Sequence, residues 1–124
     1  MKNFKCFLLT VWLMAGVSAT ARAQDAGAGA AVFKTQCSAC HSVAAGRNMV
    51  GPSLFGAVDR PAGQVPGFDY SPANNGSGLT WDTVTLDRYL ADPQAVVPKT
   101  MMPYAGLKND AKRGNLIAYL ATLH

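Results

Sequence analysis

The stretch from Val43 to Gly78 limits this chain more than any other feature. It holds Gly46, Gly51, Pro52, Gly56, Pro61, Gly63, Pro66, Gly67, Pro72, Gly76 and Gly78, and it sustains neither the alternation of a strand nor the period of a helix. By the punctuation of Gly and Pro it reads as loop throughout. So long a loop inside a compact domain is uncommon, and it is either functional or a linker. Its apolar residues, among them Met49, Val50, Leu54, Phe55, Val58, Val65, Phe68 and Tyr70, argue against a linker. They need something to cover.

The 124 residues leave room for one ordinary domain. At the N-terminus, Lys2 and Lys5 precede an apolar run from Cys6 to Val17, and the small-residue site Ala21-Arg22-Ala23 follows. This is the layout of a secretory signal cleaved after Ala23. The apolar run, about 12 residues, is short of the roughly 20 that span a bilayer. The chain therefore divides into a signal, 1–23, and one domain, 24–124, with a periplasmic destination. Cys6 leaves with the signal, and the exported part keeps Cys37 and Cys40.

At 49% hydrophobic and 15% charged, the composition is too apolar for disorder. Eleven Lys and Arg stand against seven Asp and no Glu, but they are scattered without a basic run, which sets nucleic-acid binding aside. Lys2, Lys5 and Arg22 belong to the signal, so the exported part is close to neutral. A basic face survives there only as a local cluster of Arg47, Lys99, Lys108 and Lys112.

Three helices are expected. The first runs from Asp25 to Gln36 into the cysteine segment. The second spans Trp81 to Ala91, with Thr80 as N-cap and a partial apolar face of Val84, Leu86, Tyr89 and Leu90, and Asp92-Pro93 stops it. After a loop from Pro93 to Leu107, Asn109 caps a last helix from Asp110 to about Leu123, where Leu116, Ile117, Leu120 and Leu123 recur at helical spacing. No strand and no internal repeat is visible, so the fold class is all-α, three short helices joined by long loops. Such an arrangement buries too little apolar surface to offset the ordering entropy comfortably. Something else should sit in the core.

Cys37-Ser38-Ala39-Cys40-His41 supplies it, because Cys-x-x-Cys-His is the attachment signature of a c-type haem. Two thiols on one helical turn can each add across a porphyrin vinyl group, forming two thioethers. The next residue, His41, is then held under the iron as proximal ligand. The competing readings are a disulfide with an incidental histidine, a thioredoxin-like pair, or half a zinc site. Zinc lacks a second ligand pair, since the only other histidine is His124, and a thioredoxin-like pair wants a βαβ setting. The other axial position can be Met, His, Lys or open, and that choice separates electron transfer from ligand binding or catalysis. Met101 and Met102 lie in a loop between Pro98 and Pro103 that has no helical period, where a pair of core methionines is hard to explain.

Over essentially all of Gly29 to Leu123 the chain resembles class I cytochrome c, the soluble bacterial and mitochondrial type. Gly29 and Phe33 match a helix pair that in that family packs against the segment matched here by Arg113 and Leu116 to Leu120. Gly51-Pro52-Ser53-Leu54-Phe55-Gly56 matches the stretch whose proline carbonyl accepts a hydrogen bond from the ligand histidine. Arg60 to Tyr70 matches a further family loop, and Trp81 its downstream tryptophan. The resemblance implies the cytochrome c fold wrapped around one haem c bound through Cys37 and Cys40. It implies a polar wall of Arg60, Tyr70, Asn74 and Trp81 around the propionates.

The phrase Thr100, Met102, Tyr104, Ala105, Gly106 puts Thr100 among the cofactor-holding residues. Its register selects Met102 rather than Met101 as the axial partner of His41. Met101 stands where many relatives carry Lys, and Tyr104 where Phe is common. Tyr89 matches an interior tyrosine able to hydrogen-bond the methionine sulfur. The implied function is one-electron transfer without enzymatic activity, by a monomer that meets membranes only through partner complexes. Family precedent suggests quinol-cytochrome c oxidoreductase, a terminal oxidase, a photosynthetic reaction centre or a periplasmic dehydrogenase as partners. The alternatives are a haem enzyme or gas-binding cytochrome with an open sixth site, or a haem subunit docked to a dehydrogenase.

Overall fold

Asp25 starts the first helix, its side chain accepting from the Ala28 N–H, in a computed structural model that describes residues 23–124. The segment read as a signal lies, up to Arg22, outside the described residues. Helix α1 is Ala26–Gln36, α2 Pro72–Asn75, α3 Thr83–Ala91, α4 Pro93–Val96 and α5 Asp110–Leu120. No named strand occurs among the described residues, and a single antiparallel bridge pairs Pro61 with Thr80.

The two end helices cross at Gly29. A Cβ there would lie 1.9 Å from the Asn115 carbonyl oxygen, so only glycine lets α1 approach α5 this closely. Phe33 then meets Tyr119, ring centroids 5.8 Å apart. The packing of Gly29 and Phe33 on the last helix expected from the sequence is therefore present. Arg113, buried on α5, donates to Asp87 at 2.7 Å, to Asp110 at 2.9 Å and to the Leu107 carbonyl at 2.9 Å. A buried guanidinium is tolerated because its donors are met, and here it ties α5 to α3.

Several boundaries differ from the sequence reading. Thr80 is not the cap of α3. The chain stays extended through Trp81, whose N–H donates to the Arg60 carbonyl at 2.9 Å, and Asp82 caps the helix by accepting from Thr85 N–H at 2.7 Å. Val84 is 69% exposed and off the apolar face, because the buried positions are Thr85, Leu86 and Tyr89 on the opposite side of the turn. The last helix ends at Leu120, short of Leu123. The long aperiodic stretch contains α2, and the loop after Asp92 contains α4. Both are single turns too short to show a period, and both begin with a capping side chain, Ser71 or Asp92, followed by proline. Within the long stretch Val65 is buried, whereas Met49, Val50 and Phe55 are exposed.

Two apolar clusters form among the described residues. Phe33, Leu107, Leu116 and Leu120 lie under the α1/α5 crossing, and Ala62, Trp81, Leu86, Tyr89, Val97 and Ile117 lie against α3. Members of both bound one cavity.

Candidate cofactor site

That cavity has a volume of about 460 Å³, within the range of cofactor pockets. Helix α1 delivers the first thiol to it. Cys37 N–H donates to the Phe33 carbonyl as the helix ends, and a further turn follows, with Cys40 and His41 N–H both donating to the Cys37 carbonyl at 3.1 and 2.9 Å. Cys37, Cys40 and His41 all line the cavity, and neither cysteine is in a disulfide. Burial pushes the Cys37 thiol up to about 11, with the neighbouring Cys40 adding to the rise. A thioredoxin-like pair wants a thiol held below its ordinary value, and burial acts on Cys37 in the opposite direction. Among the described residues no group of three or more His, Cys, Asp or Glu could hold a metal ion, which leaves the zinc reading unsupported.

His41 is gripped from two sides. Its Nδ1 lies 2.8 Å from the Pro52 carbonyl, which as an acceptor makes Nδ1 the protonated nitrogen and leaves Nε2 its lone pair. Burial lowers the imidazole below its ordinary pKa, opposed by that same bond. Gly51 backs the ring. A Cβ on Gly51 would lie 2.3 Å from His41 Cε1, and the Gly51 N–H is tied to the Cys40 carbonyl at 2.8 Å.

The two methionines part company. Met101 is 68% exposed, whereas Met102 packs half-buried on the cluster of Trp81, Leu86 and Tyr89. The Tyr89 hydroxyl donates to Met102 Sδ at 3.9 Å and lies 3.4 Å from Thr100 Oγ1, which accepts from the Met102 N–H at 3.4 Å. Thr100 is buried, and burial raises the Tyr89 hydroxyl above its ordinary pKa, with the Thr100 contact opposing.

Of the four residues expected as a polar wall, all line the cavity. Trp81 stacks on Tyr89 with centroids 4.7 Å apart. The Tyr70 hydroxyl accepts from the Val65 N–H at 3.1 Å. Arg60 donates through Nη1 to the Phe55 carbonyl at 2.9 Å and through Nη2 to the Ser53 carbonyl at 3.3 Å. Arg60 Nε and Asn74 Oδ1 are buried without a partner. Each unmade bond costs roughly 1–3 kcal/mol, and burial already lowers the Arg60 pKa.

A flat apolar cofactor bearing carboxylates fits this site. The carboxylates would accept from Arg60 Nε and from the Asn74 amide, which can present either its oxygen or its NH₂. The vinyl-reactive thiols and His41 lie on the same cavity.

Sequence reasoning missed three contributors. Ser53 is buried and donates to the Ala44 carbonyl at 2.7 Å; Asn48 accepts from Ser53 N–H and donates to the Pro66 carbonyl, both at 3.0 Å. Together they staple the segment after His41 to the long loop, and nothing in their spacing signals it. Gln94, the third, bonds the backbone of the methionine loop.

A family model described as Cytochrome c matches residues 26–124. Cytochrome c2 iso-2 of Magnetospirillum fulvum is 55% identical over 87 residues, covering 70% of this chain and 91% of its own. Cytochrome c2 of Rhodomicrobium vannielii is 47% identical over 125 residues, covering 100% of this chain and 98% of its own. Among solved structures, cytochrome cH from Methylobacterium extorquens superposes with a TM-score of 0.74 at 43% identity, covering 79% of this chain and 98% of that one.

Proposed function

The chain belongs to the cytochrome c family and carries haem c on Cys37 and Cys40, and on that footing we propose that it is a periplasmic one-electron carrier whose iron is held between His41 and Met102. When bound, haem supplies one iron that alternates between ferrous and ferric; the rest is done by the protein. His41 is kept in one tautomer by the Pro52 carbonyl, so Nε2 is a fixed donor. Met102 offers a thioether, a ligand that favours the reduced metal and raises the potential. Tyr89 donates to that sulfur, and Thr100 holds the Met102 backbone N–H. Arg60 and Asn74 meet the carboxylates, and the apolar walls exclude water and keep reorganisation small.

The observation that carries the reading is the pairing, on one apolar cavity, of a histidine anchored to a backbone carbonyl and a methionine anchored beneath a tyrosine. Held ligands in both oxidation states suit transfer of an electron and leave no position for a substrate, so no enzymatic turnover is assigned. The implied partners are other redox proteins: quinol-cytochrome c oxidoreductase, a terminal oxidase, a reaction centre or a periplasmic dehydrogenase. Residues 1–23 would direct export and be removed.

The test is the optical spectrum of the haem-loaded ferric protein. It should show the weak red-edge charge-transfer band of a sulfur–iron bond. Met102→Ala should abolish that band, and Met101→Ala should keep it. The reverse result would move the ligand to Met101, and a high-spin spectrum with rapid carbon monoxide binding would replace the carrier with an open-site haem protein.

A further inference from the structure

Gln94, an exposed residue of α4, has both ends of its side-chain amide engaged by the loop that follows. The Lys99 N–H donates to Gln94 Oε1 at 3.1 Å, and Gln94 Nε2 donates to the Thr100 carbonyl at 3.2 Å. One amide thus pairs with the N–H of one residue and the C=O of the next.

The helix side of this contact is firmly set. Pro93 is buried, Asp92 caps α4 by accepting from Ala95 N–H at 3.2 Å, and Val97, 2% exposed, donates its N–H to the Pro93 carbonyl at 2.9 Å. The loop side has one backbone bond of its own, from the Thr100 N–H to the Val97 carbonyl at 3.0 Å. Lys99 sits at φ 67°, a conformation that side chains other than glycine avoid and that surrounding contacts must enforce. Thr100 then passes the restraint on, since its hydroxyl accepts from the Met102 N–H and faces Tyr89, the donor to Met102 Sδ.

We propose that Gln94 is a positioning residue that latches the methionine loop and sets how often Met102 leaves the cavity. This rests on the His41 and Met102 reading above. Gln94 touches neither the cofactor nor the sulfur; it acts through Lys99 and Thr100.

An outside ligand can take the sixth position only while the loop is open, so its apparent affinity scales with the open fraction. Losing two ordinary hydrogen bonds should raise that fraction about tenfold. The experiment titrates the ferric, haem-loaded protein with imidazole, following loss of the sulfur–iron band, beside thermal unfolding by far-UV circular dichroism. Gln94→Ala should bind imidazole about tenfold more tightly than the unaltered protein, and its unfolding midpoint should fall only by the several degrees that the same loss from the closed state entails. Gln94→Glu, which keeps the acceptor for Lys99 N–H but loses the donor to Thr100, should fall between the two.

An imidazole affinity for Gln94→Ala within about twofold of the unaltered protein overturns the latch. So does a lowered unfolding midpoint with no gain in imidazole affinity, which would make Gln94 a general stabiliser whose bonds survive loop opening. Absence of the sulfur band in the unaltered protein would instead sink the ligand reading itself, before any variant is compared.

Discussion

Gly51 has no side chain, yet the histidine depends on it. Its backbone is pinned, the N–H to the Cys40 carbonyl at 2.8 Å and the carbonyl to the Met49 N–H at 2.9 Å. The imidazole opposite is pinned by Pro52. Neither partner can retreat, so the Cβ of Gly51→Ala, 2.3 Å from His41 Cε1 and 2.7 Å from Nδ1, has to displace one of them. Overpacking of this kind costs roughly 1–3 kcal/mol. The denaturation midpoint of haem-loaded Gly51→Ala should fall accordingly, and an unchanged midpoint would mean the ring is not held as described. The Cys-x-x-Cys-His motif was legible because thioether chemistry demands contiguous residues. Which methionine faces inward was legible only through resemblance, since two adjacent identical residues on an extended segment look alike in sequence. Burial separates them by sending Met101 to solvent and Met102 to the core.

Among the elements, the three long helices were readable from apolar spacing and caps, and their ends were read least well. Thr80 and Asp82 are both good capping residues. The choice between them was made by a distant segment, because the bridge from Pro61 to Thr80 and the bond from Trp81 N–H to Arg60 keep the chain extended for two more residues. No local rule carries that information. The Asp82 cap has a consequence with pH. Its carboxylate accepts from the Thr85 N–H, and chiefly through that bond its pKa lies below the ordinary 3.8. A folded-state pKa below the unfolded one means the added stability is present above the ordinary value and is lost as pH falls through the folded one. Asp82→Asn retains an acceptor and cannot titrate. The native protein should therefore exceed Asp82→Asn in urea midpoint near about pH 7, and the advantage should shrink as pH falls below the ordinary carboxylate range. An advantage that persists in acid would assign the cap's contribution to geometry alone.

At the scale of the whole molecule, the charge is notable for how little of it there is. Residues 24–124 hold 8 Lys and Arg against 7 Asp, and two ionised haem propionates would offset that excess. The residues at the cavity opening agree. Val50, 74% exposed, and Met101, 68% exposed, both line the cavity, and the charged residues that line it are the half-buried Arg60 and the exposed Asp69. Lys108, one of the four cations from which a basic face could be built, is turned onto the Ala91 carbonyl. An electron that leaves through this opening should meet a weak local field, whereas steered association gains 10–10³-fold in rate and loses it with salt. Oxidation by hexacyanoferrate, an anion, and reduction by hexaammineruthenium, a cation, sense that field from opposite sides. Between about 10 mM and about 150 mM ionic strength each rate should change by less than about threefold. A steep fall with the anionic reagent alone would mean that Arg47, Lys99 and Lys112 project a basic face despite the near-neutral total. A flat response to both would mean that contact between apolar rims, Val50 and Met101 on this side, selects the partner.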